Sequence, residues 1–578
     1  MSVVYDIVIR NGTVLDGTGA PGARLDIGVK DGCIVALAPS ITDEAGEIID
    51  ATDRVVTPGF VDIHSHYDAQ VIWDDLLEPS SPHGVTTVVL GNCGVGFAPA
   101  RPADREGLIR LIEGVEDIPG EALTAGMQWS WESFTEYLDA LSSKHWAIDV
   151  GTQLAHGPLR TFAMGADAVG QRPATAAELD VMAAIAREAA QAGSFGFSTS
   201  RTLGHRALDG TPVPGTYASF DELVAIGKGM AAGGGGIFEV APAGIARSDA
   251  PHTVADEFEW IGALAAATGL PTTFLELQAH NDPERWRREM DKAAAWRASG
   301  LSVTPLVAGR SGGVLWGWDV RHPFLTRPSY VAIAHLPLAE RLQRLRRADV
   351  RAAILSEADD PATPYEQKQR SFMRAALPSC YLLTGVPDYE QPRTRSLGAQ
   401  AEAAGRSLDE VIYDGMLAAD DVMVLYPMYN YVDADHSVLY EQLQYPDAVV
   451  GTNDGGAHCA YTCDASIPTF LLSHWARDRH RGPRMALPEI VRRLTSQPAA
   501  LYGMADRGRV AVGLRADLNV IDSERVRLTV PRAVHDLPGG ATRLLQDPVG
   551  YDLTMVAGTV TRRRGVDTGA RPGRLVRH

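Results

Sequence analysis

Short apolar runs alternate with longer amphipathic segments through the middle of this 578-residue chain. The segments 176–191, 219–232 and 255–268 have the apolar spacing of helices. Strands that alternate with helices indicate parallel βαβ units, and eight such units close into a TIM-like (β/α)8 barrel of the α/β class. The eight runs that predict the strands are centred on Val61, Val88, Val150, Phe197, Phe238, Phe274, Val303 and Val449.

The two ends of the chain carry a different pattern, of short alternating runs joined by tight turns. Asn11-Gly12 and Asp31-Gly32 lie between such runs, and these dipeptides are strong hairpin signals. The segments 516–522 and 553–560 repeat the pattern near the C-terminus. We therefore expect a small β-sandwich domain built from residues 1–57 and 507–578, around a barrel domain over residues 58–506.

One connection in the barrel is far longer than an ordinary loop. Residues 308–446 separate the seventh predicted strand from the eighth, whereas strand-to-helix loops usually have a few residues. The segments 338–351 and 407–418 within it have helical patterns. We expect residues 308–446 to form an inserted helical or lid subdomain.

Composition excludes several classes of function. A formal net charge of -19 argues against nucleic-acid binding and provides no basic surface for anionic lipid. No run reaches the roughly 18 apolar residues that span a bilayer, and the N-terminus has no signal-peptide pattern. Five scattered cysteines fit a reducing compartment. We expect a soluble, cytoplasmic protein that acts on a small molecule, and homo-oligomerisation stays open.

Four potential metal ligands follow three of the predicted strands. His64 and His66 end the first strand two residues apart, so both imidazoles point to the same side. Cys93 follows the second strand and Asp454 the eighth. Because strand ends meet at the C-terminal face of such a barrel, these side chains converge and could bind zinc. The alternatives are solvated histidines, a small buried cysteine and an aspartate in a turn.

The motifs that surround these residues are characteristic of a known family. The chain resembles the amidohydrolase superfamily, and most closely its D-aminoacylase (N-acyl-D-amino-acid deacylase) group. The resemblance implies a metal-dependent hydrolase in which His64, His66 and Cys93 match metal ligands and Asp454 matches the catalytic base. It also implies attack of metal-activated water on an amide, which releases a carboxylate and a D-amino acid. The motifs that carry it are residues 55–66, 84–94, 452–455 and 506–518.

The chain departs from the family pattern at two strands in the middle of the barrel. The family places one histidine on each of them, and a lysine for the substrate carboxylate, but residues 237–242 and 274–279 lack all three. The next residue, His280, could reach inward or lie in an exposed loop. Glu239 could replace one histidine as an oxygen ligand, or could be a buried carboxylate paired within the barrel. We therefore expect one zinc ion rather than two, with another divalent metal as the alternative. His64, His66 and Asp454 would hold it, with Cys93 close by.

Three further residues are candidates for substrate binding. Arg310, in a glycine-rich turn after the seventh strand, could bind a substrate carboxylate or be a surface arginine. Gln278 could bind the substrate amide or serve a structural hydrogen bond. His458 could orient the substrate or lie in solvent. Trp316 and Trp318 could form an acyl pocket or pack in a core. The polar segment 198–201 could offer hydroxyls and a guanidinium to the site, or cap a helix.

Three functions remain compatible with these observations. The first is a zinc-dependent amidohydrolase that deacylates an N-acyl-D-amino acid or a similar small amide. The second is hydrolysis of a cyclic amide or an N-substituted formamide, which a neutral pocket would favour. The third is a binding barrel that has lost its metal. The missing histidines motivate this third function, and the joint retention of the four residues at the strand ends argues against it.

Overall fold

A computed structural model describes residues 5–170, 172–244, 251–360 and 364–578, with the backbone alone for 251–256 and 364–366. The barrel strands are all buried and all parallel. The third strand is interrupted at Gln153 and continues one residue later. The predicted α/β barrel is thus confirmed. In order, the strands are Phe60–Asp62, Val85–Leu90, Asp149–Thr152 with Leu154–Ala155, Gly196–Ser200, Ile237–Ala241, Thr272–Glu276, Val303–Val307 and Val449–Val450.

The barrel closes beyond its strands, at the level of the predicted ligands. Ser65 pairs in parallel with Gly455, and the His66 N–H donates to the Gly455 carbonyl at 2.7 Å. The Asp454 N–H donates to the His64 carbonyl at 3.2 Å. The first and last strands are therefore joined through the backbone that carries the two histidines and the aspartate.

Helices cover the outside of the barrel. Thr175 caps the helix Ala176–Gln191 in a capping box with Glu178, so the start predicted from the sequence is correct. Ser219 is the cap of the next helix rather than its first residue. The helices of the barrel are Gln70–Trp73, Arg105–Glu116, Gly120–Gly126, Phe134–Ser142, His156–Met164, Ala176–Gln191, Phe220–Gly233, Pro251–Thr268, Arg285–Ala298, Ile467–Phe470, Leu487–Leu494 and Ser496–Leu501, with a π-helical turn over Leu471–Asp478.

The apolar run before His64 is divided between two domains. Val55–Pro58 pairs with Leu518–Ile521 in the small domain, whereas Phe60–Asp62 belongs to the barrel. Gly59 lies between them, and a Cβ there would come within 2.2 Å of the Thr86 hydroxyl oxygen. The barrel strand ends at Asp62 rather than at His66, because the chain must turn inward to pair with Gly455.

Strands from both ends of the chain form two sheets around a shared apolar core, which includes Ile9, Ile27, Leu518 and Met555. One sheet contains Cys33–Ala38, Asp26–Lys30, Tyr5–Arg10 and Ala45–Asp50 in spatial order. The other contains Val566–Asp567, Thr559–Arg563, Tyr551–Val556, Leu518–Ile521, Val55–Pro58, Thr13–Val14 and Ala23–Arg24. The C-terminal segment contains two further pairs of antiparallel strands: Arg527–Leu528 with Pro548–Val549, and Arg532–Leu537 with Ala541–Leu545.

The long insertion contains a sheet as well as helices, so the expectation of a helical subdomain is incomplete. Gly313–Trp316, Met423–Pro427 and Tyr381–Leu383 form an antiparallel sheet. Trp316 and Trp318 lie buried in a separate core beneath it, which favours packing over an acyl pocket. The helices are Pro328–Val331, Leu338–Leu345, Ala348–Ser356, Pro364–Ala376, Leu397–Ala404, Leu408–Met416 and Ser437–Gln444.

None of the described helices combines the length and the apolar character that a bilayer-spanning segment requires.

Candidate metal centre

Four side chains converge just beyond the carboxyl ends of the barrel strands. One ligand atom from each of His64, His66 and Cys93 lies within 4.8 Å of the other two, and all three residues are buried. The Cys93 Sγ is 3.4 Å from the His64 Nε2. The Asp454 Oδ1 is 3.3 Å from the His64 Nε2 and 3.8 Å from the His66 Nε2. The structure thus brings together the four residues that the sequence singles out.

The backbone at this cluster adopts a conformation that residues other than glycine rarely adopt. Cys93, Asp454 and His458 have φ angles of 53°, 48° and 47°, in the left-handed region. Asn92 fixes the turn at Cys93, since its amide donates to the carbonyls of Ser65 and Val89 at 3.0 and 2.9 Å. Such strain is typical of functional sites, where the surrounding structure enforces a particular side-chain direction.

Each imidazole of the cluster has a buried carboxylate behind it. The His64 Nδ1 is 3.9 Å from the Glu239 Oε1, and the His66 Nδ1 is 3.4 Å from the Glu116 Oε1. Neither Nδ1 atom has a hydrogen-bond partner among the described residues, although both are buried. A carboxylate on the far side of a histidine is the usual arrangement around a metal-binding imidazole. This placement favours Glu239 as the partner of His64 rather than as a metal ligand.

Glu239 has a second role and Glu116 is an unpredicted member of the site. The other oxygen of Glu239 accepts the Cys93 N–H at 3.0 Å, so one carboxyl group supports two of the cluster residues. Glu116 is the last residue of the helix Arg105–Glu116 and is 2 % exposed. In the sequence it follows no barrel strand, and a glutamate at the end of an amphipathic helix normally faces solvent. The sequence therefore carries no signal for it.

Burial dominates the electrostatics of the cluster. It lowers the pKa of His64 to about 3 and that of His66 well below its usual value, so both imidazoles are neutral. Burial raises the pKa of Glu239 and that of Asp454 to about 8, and it raises the pKa of the Cys93 thiol. The strongest charges that act on these groups come from other acids and from histidines.

This environment fits a divalent cation. Neutral imidazole is the form that binds metal, and the two orphaned Nδ1 atoms face carboxylates that would orient them. A bound cation would also reverse the pKa shifts of the carboxyl groups and favour the Cys93 thiolate.

The three predicted substrate-binding residues have different surroundings. His458 lies at the edge of the cluster, with its Nε2 3.9 Å from the Glu116 Oε2. Arg310 is buried rather than a surface arginine. Its buried guanidinium donates to the Asp464 carboxylate at 2.7 Å and lies 4.0 Å from the centre of the Tyr389 ring. Its charge is therefore already matched, which argues against the predicted role.

Gln278 fastens the insertion to the barrel. Its backbone N–H donates to the Asn430 side chain at 2.7 Å, and its side-chain oxygen accepts the Val432 N–H at 3.4 Å. Its side-chain amide donates to the Pro283 carbonyl. Both ends of the amide are thus used within the fold, and the structural alternative is the one that these contacts favour.

The polar segment 198–201 lies in the fourth barrel strand and the residue after it, so it does not cap a helix. Its hydroxyls fasten neighbouring loops: Ser198 accepts the Gly94 N–H at 2.9 Å, and Thr199 lies 2.8 Å from the His156 Nδ1. The Ser200 Oγ is 2.8 Å from the Nδ1 of His205. His205 is not among the residues that the sequence singles out. Arg201 forms an ion pair with Glu257.

A second cluster of similar composition lies between the insertion and the barrel. Glu390, His436 and His474 also bring one potential ligand atom each within 4.8 Å of the others. Here, however, Arg479 donates to both oxygens of Glu390, at 3.1 Å each. The carboxylate charge is therefore matched by a guanidinium, and the cluster joins the insertion to the segment Leu471–Asp478.

Comparison with known proteins places this architecture in a family. The family model described as the amidohydrolase family matches residues 47–562. The chain therefore belongs to the amidohydrolase family, and it is a metal-dependent hydrolase.

Two curated relatives extend over almost the whole chain, which confirms the resemblance to the D-aminoacylase group. A D-aminoacylase of Alcaligenes xylosoxydans xylosoxydans is 28% identical, over 90% of this chain and 89% of that protein. An N-acyl-D-glutamate deacylase of the same organism is 26% identical, over 100% of this chain and 97% of that protein. Among solved structures, the N-acyl-D-glutamate deacylase of Bordetella bronchiseptica with zinc and a phosphonate inhibitor has a TM-score of 0.64 at 23% identity, and each chain is covered in full. This last likeness concerns the fold.

Proposed function

We propose that this enzyme hydrolyses the amide bond of an N-acyl-D-amino acid or of a similar small N-acyl compound. The observation that carries the proposal is the convergence of His64, His66, Cys93 and Asp454 at the carboxyl end of a parallel barrel. The names of the two curated relatives support this class of substrate.

We assign one zinc ion to His64, His66 and Asp454, with Cys93 beside them. A zinc ion bound there would supply a Lewis acid and a water molecule of lowered pKa. Glu239 and Glu116 would hold the two imidazoles in the orientation that presents both Nε2 atoms.

Asp454 is the proposed general base. Its side chain is 27% exposed, whereas those of His64 and His66 are almost completely buried, so it is the member of the cluster that a substrate and water reach. Its carboxylate would take the proton of the attacking water and pass it to the departing amide nitrogen. The bond that forms joins the water oxygen to the carbonyl carbon, and the bond that breaks joins that carbon to nitrogen.

One observation favours the second candidate function, hydrolysis of a cyclic amide or an N-substituted formamide. The guanidinium of Arg310, the candidate partner for a substrate carboxylate, is already paired with Asp464. A substrate without a free carboxylate would not need such a partner.

A metal analysis combined with a substrate screen tests the proposal. The protein should be purified without chelator, its zinc content measured, and the zinc-loaded form assayed with N-acyl-D-amino acids, N-acyl-L-amino acids and cyclic amides. We expect about one zinc per chain and turnover of at least one N-acyl compound. Much less than one metal per chain, with no activity after zinc is added, would contradict it.

A further inference from the structure

We propose that His205 is a substrate-contacting residue of this site, where its Nε2–H donates a hydrogen bond to the carbonyl oxygen of the scissile amide. The proposal rests on the proposed amide hydrolysis and names one more residue that would carry it out.

The fold holds His205 firmly at the mouth of the barrel. It lies five residues after Ser200, the last residue of the fourth strand, and its Nδ1 is 2.8 Å from the Ser200 Oγ. A short turn follows at once, in which Arg206 pairs with Pro212 and the Ala207 N–H donates to the Thr211 carbonyl at 2.8 Å. The imidazole is thus fixed both by a strand end and by a closed loop.

The backbone places Ser200, the residue that holds His205, next to the metal cluster. A Cβ on Gly94, which follows Cys93, would come within 2.9 Å of the Ser200 nitrogen and 3.1 Å of the Thr199 Cα. His205 is only partly buried, and it does not belong to the group of three residues whose ligand atoms lie within 4.8 Å. It therefore lies near the cluster without being one of the grouped ligands.

The contact with Ser200 determines which nitrogen is available. When the Ser200 hydroxyl donates to Nδ1, the imidazole proton is on Nε2, and that N–H points away from the strand. Burial lowers the pKa of His205 to about 4, so the ring stays neutral and keeps this single donor.

Amide hydrolysis needs a donor of this kind. Negative charge develops on the carbonyl oxygen, and a preorganised donor there is worth about 10²–10³-fold in kcat. The two guanidiniums that the sequence offers to the site are engaged, because Arg310 pairs with Asp464 and Arg201 with Glu257. A neutral imidazole is the group that this loop supplies instead.

Two substitutions separate a hydrogen-bond donor from a structural role. His205→Ala removes the donor, whereas His205→Gln keeps an N–H near the position of Nε2. With zinc bound, we expect kcat to fall about 100-fold in His205→Ala and about tenfold in His205→Gln. The zinc content should equal that of the wild type in both. His145→Ala, which removes an exposed histidine elsewhere, is the matched control and should have no effect.

A binding measurement gives a readout that does not depend on turnover. Cobalt-loaded protein titrated with acetate, followed by visible absorption, reports binding of an oxygen ligand at the metal. We expect the dissociation constant for acetate to rise about tenfold in His205→Ala and less in His205→Gln. Loss of metal in His205→Ala, or unchanged acetate binding, would overturn the proposal. If the wild type hydrolyses no amide, the proposed function fails, whereas the acetate titration still tests His205.

Discussion

The molecule contains two clusters of histidine and acid that look alike in composition and differ in their charge partners. In the cluster at the barrel mouth, His64 and His66 face Asp454 with their Nε2 atoms, and buried carboxylates lie behind them. In the second, the single acid Glu390 binds Arg479 through both of its oxygens.

This difference shows that proximity of ligand-type residues is not enough to indicate a metal site. Glu390 already has a cation beside it, in the form of the Arg479 guanidinium, and a metal ion would have to displace a buried ion pair. The cluster of His64, His66 and Cys93 instead has orphaned imidazole nitrogens and acids whose pKa values are raised by burial. Buried acids with no guanidinium or ammonium beside them, in the described part of the chain, are the feature that separates this candidate metal centre from a structural ion pair.

The largest effect that this comparison predicts is on turnover. Asp454→Asn should lower kcat about 10³-fold, since a general base contributes about 10²–10⁴-fold. The melting temperature should stay close to that of the wild type, because Asp454 is 27% exposed and its ion pairs with described residues are those with His64 and His66. The assay should use saturating zinc, so that any loss of metal affinity does not mimic loss of the base. Turnover near the wild-type value would remove Asp454 from the mechanism.

In the cluster of Glu390, His436 and His474, a substitution should change stability rather than metal binding. Glu390→Gln leaves the buried Arg479 charge without a partner, which should lower the free energy of unfolding by about 3–5 kcal/mol. Urea denaturation followed by tryptophan fluorescence would measure this, since Trp475 lies 4.6 Å beneath the Arg479 guanidinium. The zinc content should not change.

A double variant is the control for this second prediction. Glu390→Gln combined with Arg479→Met removes both charges, so it should recover part of the lost stability. A Glu390→Gln protein as stable as the wild type, or one that has lost zinc, would show that the two clusters do not differ as described.

The alternation of apolar runs was sufficient to predict the barrel, because its strands are short and buried on both faces, and most of them are followed by a helix. It could not predict where a side chain points once tertiary contacts intervene. The ring centre of Phe274 lies 5.0 Å from that of Phe258 in an outer helix. Because side chains two apart in a strand share a face, Phe274 and Glu276 of the sixth strand both point away from the inside of the barrel. Gln278, four residues after Phe274, is then used to hold the insertion.

The candidate site could be predicted only where its residues follow strand ends. His64, His66, Cys93 and Asp454 do so, and the sequence singles them out. Arg310 also follows a strand, but the partner that neutralises it lies 154 residues away, at Asp464. Pairing over such a separation leaves no local pattern in the sequence. Glu116 comes from a helix end, where only the folded structure shows that it faces His66.

The smallest of the three predicted effects concerns Glu116 itself. Glu116→Gln replaces the carboxyl group behind His66 with an amide of similar size. The imidazole should therefore keep its position but lose the acid that orients it. Zinc affinity should fall about 10–100-fold, as for other carboxylates that support a metal-binding histidine. Competition with a chelator of known zinc affinity would measure it. Glu390→Gln, which alters the acid of the other cluster, is the matched control and should bind zinc as the wild type does. Equal zinc affinity in the wild type and in Glu116→Gln would mean that the carboxylate behind His66 does not support metal binding.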